Sequence, residues 1–117
     1  MFSSLAVSDF ENPARYTLSS QCVKSVEIRQ SEDAPYFLLL IEVKANEAQK
    51  IYLFSKENVK KIVEFNDAKG MQLMSARVME PFSSRFIITS DTEVIANSIK
   101  ESLLNIPGKC GSNAIAN

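Results

Sequence analysis

No histidine occurs anywhere in the 117 residues. That removes the side chain that most often serves as general base or metal ligand near neutral pH. Glycine appears only as Gly70, Gly108 and Gly111, too few and too scattered for a phosphate-cradling loop. There is no Gly-x-Ser-x-Gly elbow, and without histidine the usual serine or cysteine triad cannot be assembled. The two cysteines, Cys22 and Cys110, have no CxxC spacing, so a zinc site lacks ligands at the level of sequence. No eighteen apolar residues follow one another, which excludes a helical membrane span. The first ten residues lack the basic and apolar regions of a signal peptide. These absences imply no cofactor, no metal, no membrane and a cytoplasmic location.

The informative feature that is present is the run Tyr36-Phe37-Leu38-Leu39-Leu40-Ile41-Glu42-Val43. Six consecutive apolar residues at strand length read as a strand buried on both faces, the centre of the fold. The chain has the length of one domain. Its 45% hydrophobic and 23% charged content is that of an ordinary globular protein. Net charge is −1, so nothing global recommends a polyanionic partner. From Lys44 to Arg85, however, eight basic residues face five acidic ones, giving +3 against −4 for the flanks together. Solvated surface charge is the plain reading of that asymmetry.

Along the chain, a short helix near Ser4–Phe10 precedes a break at Asn12-Pro13. Val26–Arg29 alternates as a half-buried strand, with Cys22 at its start as a small hydrophobe. The turn Ser31–Pro35 leads into the apolar run, making an antiparallel hairpin. Asn46–Gln49 reads as a turn and Lys50–Phe54 as a third strand. Ser55 caps a helix marked by Val59, Ile62 and Val63, which stops at Gly70. Residues 71–78 alternate with a change of phase at Leu73-Met74, the mark of a bulge or an edge strand. Residues 84–89 form a fifth strand. Ser90-Asp91-Thr92-Glu93 is a capping box opening a helix striped by Ile95, Ile99 and Leu103 and ended by Pro107-Gly108.

The expected fold is therefore α+β: a five-stranded, mainly antiparallel sheet with two helices in the order β-β-β-α-β-β-α. Residues 1–106 form the domain, with 1–21 a weakly structured lead-in and 107–117 a flexible tail holding an exposed Cys110. A Cys22–Cys110 disulfide is left open, and two cysteines fix no redox compartment. No motif assigns a family. The element order resembles that of small acidic dimeric secretion chaperones, and the last strand-to-helix step resembles the end of a pleckstrin-homology-type domain. Fold alone would not fix function in either case.

The paired carboxylates Glu32-Asp33, Asp91/Glu93 and Glu64/Asp67 read as turn, cap and surface residues, leaving no equipment for acid–base catalysis. The expectation is a non-enzymatic module that buries an apolar sheet or helix face against a protein partner. Apolar residues on both faces of the second and third strands suggest that partner includes a second copy of the chain. The alternative is single-stranded nucleic-acid binding through the basic, aromatic middle segment. Its candidates are Lys50, Tyr52 and Phe54 on one strand face, with Lys60, Lys61, Arg77 and Arg85. Phe82, between Pro81 and two serines, is a candidate contact residue in a loop.

Overall fold

The computed structural model describes residues 13–112; the expected helix near Ser4–Phe10 lies outside them. Seven strands and two helices follow in the order β1 (Ala14–Thr17), β2 (Val23–Gln30), β3 (Phe37–Val43), α1 (Ala45–Glu57), β4 (Ile62–Asn66), β5 (Gln72–Arg77), β6 (Arg85–Ser90), α2 (Glu93–Asn105) and β7 (Gly111–Ser112). The α+β class holds, but the strands form two sheets instead of one five-stranded sheet. A mixed sheet runs β5-β4-β1-β7, and an antiparallel sheet runs β2-β3-β6. β1 pairs in parallel with β4, a neighbour that only a long crossover can bring alongside. The element order behind the chaperone-like resemblance is therefore not the one observed; the strand-to-helix step from β6 into α2 is present, with β7 following it.

The hairpin β2–β3 forms as expected, with Val26 opposite Ile41 and Ile28 opposite Leu39. β6 joins the other side of β3, placing Phe86 against Ile41 and Ile88 against Leu39. The period of two turns Leu39, Ile41 and Val43 into the core and leaves Leu38 and Leu40 half-buried on the opposite face. The central run is thus buried on one face, not on both.

The largest correction falls on residues 45–66. Lys50–Phe54 is not a strand but part of α1, whose buried residues Glu47, Ile51, Phe54 and Ser55 recur at helical spacing. Ser55 does not cap a helix; its hydroxyl donates to the Tyr52 carbonyl at 3.0 Å and accepts the Phe82 N–H at 2.7 Å. The expected helix after it is a turn followed by β4. Lys60 sits in the left-handed region (φ 72°), and its N–H and the Val78 N–H link the turn to the end of β5. In β4 the buried residues are Val63 and Phe65, a strand alternation that the pattern Val59, Ile62, Val63 disguises.

The β4–β5 register shifts between Phe65 and Asn66, leaving Leu73 without an opposite residue, at the place where the sequence changes phase. β5 is also the edge of its sheet. Asp67 shapes the connecting turn: its Oδ1 accepts the N–H groups of Lys69 and Met71, and its Oδ2 accepts the Ser102 hydroxyl at 2.7 Å. Gly70, at φ 90°, closes that turn rather than a helix. α2 forms as expected, but its cap is Thr92, whose Oγ1 accepts the Ile95 N–H at 3.1 Å. Its buried residues are Ala96, Ile99, Ser102 and Leu103, with Ile95 half exposed.

One core joins the layers. Phe65 of β4 meets Tyr16, Phe54, Phe82 and Phe86 at ring-centroid distances of 5.3–6.1 Å, so both sheets and α1 share an aromatic centre. The segment read as a tail is fastened through Ser112. Cys110 is disulfide-bonded to Cys22, Gly108 lies against Ala68 and Ser19, and β7 pairs antiparallel with β1.

Candidate functional site

Two features stand apart from ordinary packing. The first is the face of the β2-β3-β6 sheet that carries Glu27, Arg29, Leu38, Leu40, Glu42, Arg85 and Ile87. Strand alternation forces these residues away from the core, because their neighbours Val26, Leu39, Ile41 and Ile88 are buried. Between β2 and β6 this face forms an open groove of about 680 Å³ lined by Ser25, Glu27, Arg29, Leu40, Glu42, Arg85 and Ile87. Leu40 and Ile87 are directly opposed across the strand pair, as are Glu42 and Arg85. Ile87, on the edge strand β6, remains 54% exposed.

The groove's rim is charged in both signs. Arg29 Nε donates to Glu27 Oε2 at 2.8 Å, and this bond holds the Glu27 carboxyl below its usual range. Glu42 Oε2 lies 3.7 Å from Arg85 Nε and 3.8 Å from Lys24 Nζ. These solvent-facing pairs add little stability, but they preset the orientation of charges around an apolar floor.

The second feature is buried. The Cys22 and Cys110 sulfurs and a Glu47 carboxylate oxygen all lie within 4.8 Å of one another. Glu47 is 4% exposed and accepts a hydrogen bond from the Tyr16 hydroxyl. Burial, followed by that bond and the Glu47 charge, pushes the Tyr16 phenol far above its ordinary value. Among the described residues, no Lys or Arg lies within ion-pair distance of Glu47. Ser19 borders both sulfurs: its N–H points at Cys22 Sγ at 3.5 Å and its Oγ lies 3.2 Å from Cys110 Sγ.

The residues singled out from sequence do not form one site. Arg85 is in the groove. Arg77, at the end of β5, donates to the Lys60 carbonyl at 2.7 Å, and Lys60 and Lys61 are exposed in the turn before β4. Lys50, Tyr52 and Phe54 share no strand face; Lys50 and Tyr52 are exposed, while Phe54 packs edge-on against Tyr16 at 5.1 Å. Phe82 is half-buried on Phe65, so it is not a free loop aromatic. The carboxylate pairs are dispersed: Glu64 accepts from Arg15 at 3.1 Å, Asp67 is buried in its turn, and Glu32, Asp33, Asp91 and Glu93 are exposed.

Sequence reading passed over Glu47, Tyr16 and Ser19. The available signal is Glu47, Ile51, Phe54 and Ser55 at helical spacing, visible only when a glutamate and a serine count as inward-facing. No family model, no curated protein and no solved structure matches the chain.

Proposed function

We propose that this protein is a small non-enzymatic interaction module that buries the outer face of its β2-β3-β6 sheet against a protein partner. The observation that carries the reading is the apolar floor of Leu38, Leu40 and Ile87 on a sheet face that no described element covers. Fully burying an exposed side chain of this kind contributes about 1.5–3 kcal/mol, and these half-exposed ones would contribute a part of that each. The surrounding Glu27, Arg29, Glu42 and Arg85 supply orientation and selectivity more than affinity. Two carboxylates inside the groove favour a protein surface over a phosphate backbone, which rewards cations alone. A second copy of the chain is one such surface.

The test compares the double variant Leu40→Glu/Ile87→Glu with Val94→Glu, an exposed control on α2 away from the groove. Tagged protein is captured from source lysate after nuclease treatment, and its mass is measured by sedimentation. The expected result is a discrete protein partner, or a species of twice the 13.0 kDa chain mass, lost only in the double variant. Retention of that species by both variants, or capture of nuclease-sensitive material alone, would overturn the reading.

A further inference from the structure

We propose that Cys22, Cys110 and Glu47 form a redox-gated site for a thiolate-binding divalent cation, zinc by its chemistry. Oxidised, the pair is a disulfide and the site is shut. Reduced, both sulfurs become donors beside a carboxylate already held in place. The inference is independent of the sheet groove.

The geometry places two sulfurs and one oxygen within 4.8 Å of one another, with the cysteine Cα atoms 6.4 Å apart. Zinc–sulfur bonds of about 2.3 Å in a tetrahedron require the sulfurs to stand about 3.8 Å apart. Rotation about the cysteine side-chain bonds supplies that separation once the disulfide opens. Two thiolates, one carboxylate and a water make the mixed four-coordinate set that zinc accepts.

Four further observations point the same way. Glu47 is a carboxylate in the core with no cation in ion-pair range among the described residues, a costly arrangement that a dication would repay. The Tyr16 hydroxyl donates to Glu47 and orients it, as the outer partners of metal ligands do. The Ser19 N–H aimed at Cys22 Sγ favours a thiolate at that sulfur. Cys110 is half-buried, which gives the ion and the reductant a way in.

The steps balance. A dithiol reductant gives two electrons and two protons, cleaving the Cys22–Cys110 bond to two thiols while becoming a disulfide itself. Zinc then displaces both thiol protons to solvent, forming two metal–sulfur bonds.

The test uses the full chain with Zn²⁺ alone as probe, in competition with a chromophoric chelator, oxidised and after reduction by a phosphine. Co²⁺ in place of Zn²⁺ reports thiolate ligation by its charge-transfer absorption. The expected result is one ion per reduced chain and none per oxidised chain. Glu47→Gln should weaken binding at least about tenfold, and Cys110→Ser should remove the thiolate signature of a two-sulfur site. Circular dichroism follows folding throughout; if reduction alone unfolds the chain, zinc should restore it. Failure of the reduced chain to bind, failure of zinc to restore a lost fold, or binding unaffected by Glu47→Gln would overturn the proposal.

Discussion

Tyr16 carries three roles in one side chain: its ring packs on Phe54 and Phe65, its backbone pairs with β4 and β7, and its hydroxyl satisfies Glu47. The phenol is held above its ordinary value of 10.0 by burial first and by Glu47 second. A group whose folded value is raised stabilises the fold fully below its unfolded value and ceases to do so as pH climbs above it. The contribution of Tyr16 to urea midpoints should therefore be constant with pH below about pH 10 and fall above it. Tyr16→Phe should be less stable near neutrality, because Glu47 loses its donor, yet decline less steeply between about pH 10 and 11. Parallel slopes for the two proteins would refute this account. None of this is legible in the residue itself, because a tyrosine in a lead-in segment announces neither its burial nor its partner 31 positions away.

Among the elements, those with an uninterrupted local signal were readable: the hairpin β2–β3, the phase change in β5, strand β6, and helix α2. α1 is disguised in the sequence because Tyr52 and Leu53, both nearly half exposed, complete an apolar run Ile51–Phe54 that mimics a strand. The polar residues Glu47 and Ser55 occupy the inward positions in their place. Tertiary burial of polar groups thus reversed the local pattern. The same local blindness hid the segment after α2. Gly108 is required there not for its backbone angles but for space: a Cβ would meet the Ala68 Cβ at 2.8 Å. Gly108→Ala should cost about 1–3 kcal/mol by forcing apart the last connection and the β4–β5 turn. Chemical denaturation checks this, and an unchanged midpoint would mean that the segment yields freely.

At the scale of the whole molecule, the disulfide joins positions separated by 88 residues. Closing so long a loop restricts the unfolded chain, so its loss should cost about 4–5 kcal/mol on the chain-entropy estimate. Reduction in the presence of a chelator, followed by urea unfolding, measures that difference; a change below about 1 kcal/mol would contradict the estimate. The candidate groove was half legible, since the apolar character of both faces of β3 pointed to an uncovered surface, but the identity of its rim needed the register. The Cys22–Cys110–Glu47 cluster was not legible, because only the fold brings together groups from three distant stretches of chain.

The placement of β1 also orders events in time. Its partners are β4 and β7, residues 62–66 and 111–112, so a chain emerging from the ribosome presents its first strand long before either neighbour exists. The hairpin β2–β3 can form as soon as it is made, whereas the four-stranded sheet waits for nearly the last described residue. Non-local closure of this kind slows folding and sets a sequence of synthesis first, sheet closure second and sulfur chemistry last. A nascent chain halted before Cys110 would hold Cys22 as a thiol with no intramolecular partner among the described residues.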